Sequence, residues 1–272
     1  MKLLISTDIE GVAGIYNTEQ TRMGNGEYER ARRLMTQEAN AAIAGAFDAG
    51  ADAVFINDSH GDFRNLIAEQ LDPRARAIQG NPRRLGMMGG VDLGVDAVAL
   101  LGYHAKAKAA GILAHTINSF AFARIAINGV EYGEAGLYGA LAAEFGVPVA
   151  FASGDDVFIA ETQPLFPGAT FVQTKTASGN TSGCSLSPEA SCAAIRTGMA
   201  SALRAVPARP ELVLTGPLEV RLQTQTPALA DLFALWPTLE RAAPDVIAFN
   251  AINMQVVLRT LNALSAMSTA LR

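Results

Sequence analysis

Lys2-Leu3-Leu4-Ile5 is a short apolar run that breaks at once into Ser6-Thr7-Asp8-Ile9-Glu10-Gly11. A run this short and this apolar reads as a strand buried on both faces, and the turn behind it carries two carboxylates. The pattern recurs twice. Ala53-Val54-Phe55-Ile56 leads into Asn57-Asp58-Ser59-His60-Gly61, and Ala97-Val98-Ala99-Leu100-Leu101 leads into Gly102-Tyr103-His104. In an open parallel sheet the carboxyl ends of the strands share one edge, and ligands bind in the crevice outside it. The three runs therefore predict an α/β fold, a mostly parallel central sheet flanked by helices, with its functional residues gathered on that edge.

The rest of the chain fits this rhythm. Over residues 27–50, Leu34, Met35, Ala39, Ala42, Ile43, Ala46 and Phe47 recur at helical spacing and Gly50 stops the run, which suits a crossover helix between the first two strands. Asn128-Gly129 is a hairpin signal between strands over 119–127 and 130–132. Gly133-Glu134-Ala135-Gly136 opens a helix that continues over 137–145, and a buried strand over 147–152 runs into Ser153-Gly154-Asp155-Asp156, another acidic strand end. Ser187 caps a helix with Pro188 in its first turn, which runs to about residue 206. After Pro207 and Pro210 the expected order is strand (212–222), helix (228–235), strand (246–249) and terminal helix (254–271). The expected organisation is an α/β metal-binding catalytic domain over 1–206 and a smaller α+β appendage over 207–272.

With 272 residues, half of them hydrophobic, the chain can bury a large core. Its formal charge of −5 and the absence of like-charge runs argue against a nucleic-acid surface, which needs a dense basic face. The expected partner is a small molecule or a peptide. No apolar stretch approaches the roughly 18 residues of a membrane span, and the opening apolar run is too short for a signal-peptide core, so the expected location is the cytoplasm. Cys184 and Cys192 form no CxxC pair, and we assign them no role.

Only three histidines are present, and His60 and His104 stand at strand ends like Asp8 and Glu10. Asp8 and Glu10 are two apart, so in extended backbone both carboxylates face one side. Glu134 could sit at a helix start simply for the dipole, but charge counting gives it another use. The charge of two divalent ions is balanced by Asp8, Glu10, Glu134 and a bridging hydroxide, with His60 and His104 as neutral nitrogen ligands. Such a mixed set suits zinc, with manganese or cobalt as substitutes, and Asp8, nearest a strand end, is the expected bridge. His115 is then free to donate a proton to a leaving amine or to stabilise an oxyanion. Asp58 either orients His60 or caps its turn.

With these residues assembled, the chain resembles the D-aminopeptidase DppA family, the M55 metallopeptidases. The resemblance rests on Ser6-Thr7-Asp8-Ile9-Glu10-Gly11, Asn57 through Gly61, Gly102-Tyr103-His104, His115-Thr116, and Asn128-Gly129 leading to Gly133 through Gly136. It implies a dinuclear zinc site of Asp8, Glu10, His60, His104 and Glu134, two zinc ions per subunit, with His115 as the catalytic residue, either as nucleophile or beside an activated water. It further implies a homo-oligomer, a decamer of two stacked pentameric rings whose sites face an internal chamber and act on short peptides with an N-terminal D-residue such as D-alanine. The segment from Thr174 to Gly183, which includes Lys175, follows the family's lysine-containing segment but departs from it at Asn180 and Gly183, where family members often carry basic residues. Residue spacing alone leaves open the choice between D and L substrates. It also leaves two other readings: another dinuclear hydrolase, an amidase or phosphoesterase, and a non-catalytic, ring-forming metal-binding protein.

Overall fold

The structure, a computed structural model, describes residues 1–272. In chain order, β1 (Lys2–Thr7), α1 (Gly26–Asp48), β2 (Ala53–Asp58), β3 (Arg76–Ile78) and β4 (Ala97–Leu101) come first. The hairpin β5 (Phe122–Ile127) and β6 (Val130–Glu131) is followed by α2 (Glu134–Glu144), β7 (Val149–Asp155), α3 (Asp156–Thr162), β8 (Thr170–Gly179), β9 (Ser182–Ser185) and α4 (Pro188–Arg204). Then come β10 (Leu218–Thr224), α5 (Pro227–Phe233), β11 (Glu240–Ala243), β12 (Val246–Ala251) and α6 (Met254–Met267).

Seven strands form the main sheet in the order β3-β2-β1-β4-β7-β8-β9, all parallel except the edge strand β9. The apolar run of β1 is continuous because both faces are covered. Leu3 and Ile5 pack with Val54, Ile56, Ala97 and Ala99 beneath α1 and α4, whereas Leu4 packs with Val98 and Leu100 on the opposite side, against α2 and α6. From β1 the chain proceeds outward to β2 and β3, then returns to place β4 on the other side of β1. That reversal is a topological switch point, where the loops after β1 and β4 diverge and leave a crevice at their carboxyl ends.

The C-terminal segment contributes β10, β11, β12, α5 and α6, and its strands share a sheet with the middle of the chain. Its sheet, β11-β12-β10-β5-β6, is antiparallel and takes the Asn128-Gly129 hairpin from the middle of the chain: Val220 pairs with Ile127 and Leu222 with Ile125. One continuous core therefore runs from Leu4 through Leu137 and Phe122 to Leu261. The strand expected over 212–222 begins only at Leu218, immediately after Pro217, which has no N–H to give to a ladder. No helix is long and apolar enough to cross a membrane.

Candidate metal centre

All six singled-out side chains meet at the carboxyl edge of the main sheet. Asp8 and Glu10 lie in the loop after β1, not in extended backbone, so their convergence comes from the turn and not from strand alternation. The loop docks on the end of β4: Asp8 N–H donates to Leu101 O (2.8 Å) and Gly11 N–H to Gly102 O (2.7 Å). This close approach demands glycine on both sides. A Cβ on Gly11 would lie 2.0 Å from Tyr103 O, and one on Gly102, whose φ is +68°, would lie 2.5 Å from Asp8 O. His60 follows β2, His104 follows β4, His115 lies in the loop between β4 and β5, and Glu134 is the first residue of α2.

The three imidazoles share one arrangement. His60 Nε2 is 2.8 Å from Thr21 O, His104 Nδ1 is 3.0 Å from Ala105 O, and His115 Nδ1 is 3.0 Å from Leu113 O. A carbonyl only accepts, so each of these nitrogens carries the proton in the neutral ring, and the other nitrogen turns a lone pair inward. Inward lie carboxylates. His60 Nδ1 is 3.2 Å from Asp8 Oδ1 and 3.1 Å from Glu10 Oε2; His104 Nε2 is 3.4 Å from Asp8 Oδ2 and 3.6 Å from Glu134 Oε1; His115 Nε2 is 3.8 Å from Glu134 Oε1. Asp8 thus presents one oxygen to each half of the cluster. The His104 and His115 rings stack with centroids 4.1 Å apart, which brings His115 into the cluster rather than beside it.

Lone pairs facing carboxylates repel unless a proton or a cation lies between them. The electrostatics register this demand. Burial opposes the charged form of His60 and His104, yet Glu10 and Asp8 around the first and Glu134 and Asp8 around the second hold both pKa values well above the ordinary imidazole range. Burial likewise works to raise Glu10 and Glu134, but the histidines outweigh it and both carboxyls are lowered. Asp8, buried beside Glu10, is raised. Two buried atoms, Glu10 Oε2 and His104 Nε2, make no hydrogen bond at all. Asp8, Glu10 and His104 offer ligand atoms within 4.8 Å of one another, as do His104, His115 and Glu134. A nitrogen and carboxylate donor set of this kind, with two unsatisfied donors, fits zinc.

The cluster opens on a cavity of about 640 Å³ whose walls include Asp8, His60, His115 and Glu134. Its far wall was not foreseen. Tyr138, one turn after Glu134 on α2, and Asn262 and Ser265 of α6 line it, the first two joined at 3.3 Å between Tyr138 Oη and Asn262 Oδ1. Asn262 and Ser265 read in sequence as polar positions on a terminal helix, and only the pairing of β5 with β10 brings that helix to the site. Asp58 caps the turn after β2: its carboxylate accepts from the N–H groups of Asn65 and Leu66, and Asn65 Nδ2 donates in turn to His60 O. Asp155 does not join the cluster; it caps α3 through Phe158 N–H (2.7 Å) and accepts from Ile112 N–H (2.6 Å). Lys175 on β8, which the sequence offers only as part of a family segment, is buried, its pKa pulled down to about 8 by burial although Asp155, Glu38 and Glu10 oppose the shift.

Fold and cluster together define a class: α/β proteins with a buried histidine and carboxylate centre at the switch point of a parallel sheet. Within that class the chain belongs to the D-aminopeptidase family, peptidase family M55, whose model matches residues 1–263. A D-aminopeptidase of Bacillus subtilis (strain 168) is 38% identical over 175 residues, a stretch spanning 64% of this chain and 64% of that protein. The solved structure of the Zn-dependent D-aminopeptidase DppA from Bacillus subtilis, described as a self-compartmentalizing protease, superposes with a TM-score of 0.95 at 29% identity, covering 99% of this chain and 98% of that one.

Proposed function

We propose that the protein is a zinc-dependent D-aminopeptidase that removes an N-terminal D-residue, of the D-alanine type, from short peptides. The observation that carries this reading is the arrangement of His60 and His104, each tied to a backbone carbonyl through one nitrogen and turning the other toward buried carboxylates. Asp8, Glu10 and His60 would hold one zinc ion and Asp8, His104 and Glu134 a second, with Asp8 shared; manganese or cobalt are substitutes. When bound, such a metal pair polarises the scissile carbonyl and lowers the pKa of a water.

The chain's own residues supply the rest. Thr21, Ala105 and Leu113 hold the ring orientations through their carbonyl oxygens. His115 is the ring left over when two ligand sets are complete. With Nδ1 engaged by Leu113 O, its Nε2 on the cavity side takes up a proton and passes it to the leaving amine. The cavity bounded by α2 and α6, about 640 Å³, has room for a short peptide beside the cluster. The relative described as self-compartmentalizing supports assembly of this chain into a homo-oligomer, for which we propose a decamer of two pentameric rings working in the cytoplasm.

The test is to record metal content and then compare release of alanine from D-Ala-D-Ala and L-Ala-L-Ala, before and after chelation and zinc restoration. Two zinc ions per chain and metal-dependent cleavage confined to the D-peptide are expected. Bound zinc without cleavage of either peptide sinks the peptidase reading.

A further inference from the structure

The loop from Asp8 to Ile15 carries two of the proposed ligands and has no regular structure of its own. Its inner carbonyls face the protein interior. No backbone amide reaches Glu10 O or Ile15 O. Lys175 Nζ donates to both, at 2.6 Å for Ile15 O, from a side chain that is 2% exposed. The neighbouring Thr174 hydroxyl is 2.6 Å from Gly11 O and 3.1 Å from Gly154 O, so β8 grips the loop at successive carbonyls and ties it to β7. From other sides, Ala13 N–H donates to Glu38 Oε1 of α1 (3.0 Å) and Gly14 N–H to Ser185 Oγ of β9 (2.8 Å).

An ammonium buried this deeply is costly to desolvate, and an apolar side chain would fill the same space without that cost. What an apolar side chain cannot do is satisfy two inward carbonyls on either side of a tight turn. The three donors of an ammonium can. Asp155, Glu38 and Glu10 lie near enough to stabilise its charge, and the Lys175 contact falls on the main chain of Glu10, leaving the Glu10 carboxylate directed at His60.

We propose that Lys175 is a positioning residue for the metal centre: it pins the main chain of the 8–15 loop so that the Asp8 and Glu10 carboxylates stand preset to receive zinc. The inference rests on the zinc reading above. Lys175 touches neither substrate nor metal, so its effect runs through ligand geometry, and the property it governs is metal affinity of the folded protein.

The experiment measures zinc dissociation constants of the folded wild type, Lys175→Met and Thr174→Val by competition with a chromophoric chelator, alongside thermal unfolding of the metal-free proteins. Lys175→Met is expected to weaken zinc binding about 10- to 100-fold, the range seen when groups that orient ligands are removed. Thr174→Val, nearly isosteric, is expected to weaken it by up to about 10-fold, the equivalent of one hydrogen bond, and it decides the matter if Lys175→Met does not fold. Lower melting temperatures with unchanged zinc affinity in the folded variants would overturn the inference and leave Lys175 a purely structural residue. A wild type that takes up no zinc would overturn the metal reading itself, a result distinguishable from the first because it does not involve the variants.

Discussion

His115, half-buried, and Glu38, fully buried, show how differently two polar residues disclose their work. His115 was legible because the chain has so few histidines, and the other two were already placed at strand ends. Replacing it by alanine is expected to lower kcat on the order of 10²- to 10⁴-fold, the usual worth of a positioned acid or base, while zinc content stays at the wild-type value. Loss of a zinc ion in that variant would instead make His115 a ligand. Glu38 looked like any charged residue on a helix. Its carboxylate is fully enclosed beneath the 8–15 loop, and burial, opposed by Ser191, Ala13 and Lys175, pushes its pKa up to about 6 from an ordinary 4.5. Between those two values the folded protein keeps a proton that the unfolded chain has released, so the contribution of this group to stability falls as pH rises, by about 2 kcal/mol. In Glu38→Gln that dependence vanishes. Urea unfolding of both proteins at pH 4 and pH 7 should show the difference in their unfolding free energies changing by about that amount; a constant difference would mean that Glu38 titrates normally.

The central strands β1, β2, β4 and β7 were legible because each is buried on both faces and so reads as an unbroken apolar run. β8 was not: Thr-Phe-Val-Gln-Thr-Lys-Thr looks like solvent-facing sequence, and its Thr174 and Lys175 are buried because they serve the loop beside them. The short strands β3 and β11 lie at sheet edges, where exposure removes the apolar signal. Helix α6 was found, but not its neighbour, since contact with α2 depends on a pairing between strands almost a hundred residues apart in the chain. Leu261, wholly buried on α6, tests that contact. Leu261→Ala is expected to cost about 2–5 kcal/mol by chemical denaturation and, by loosening the wall that carries Asn262 and Ser265, to raise KM more than it lowers kcat. A raised KM fails to appear if α6 is only structural support. The docking of the β1 loop on β4 has its own test. Gly11→Ala places a methyl group on Tyr103 O, and such overpacking costs about 1–3 kcal/mol or more, with loss of bound zinc expected in the same sample.

For the whole molecule, the zinc proposed above would add to a fold whose core is complete without it. Zinc held at about 100 times its dissociation constant is expected to stabilise the protein by about 2.7 kcal/mol per site, visible as a rise in melting temperature that a chelator reverses. The extensive core on both faces of the sheet does not depend on it. A further consequence follows from where the carboxylates and imidazoles stand along the chain. Asp8, His60, His104 and Glu134 come from four separate segments of the chain, and the lysine proposed to brace the first of them arrives later still, at position 175. An unfolded or half-synthesised chain offers no two of the six side chains close together except Asp8 and Glu10, so the ion has nothing to nucleate around. Zinc should therefore leave the refolding rate untouched while slowing unfolding, and a stopped-flow comparison with and without the ion would reveal it. On the zinc reading, the chain would assemble its parallel sheet unaided and recruit the ion only once folding is over.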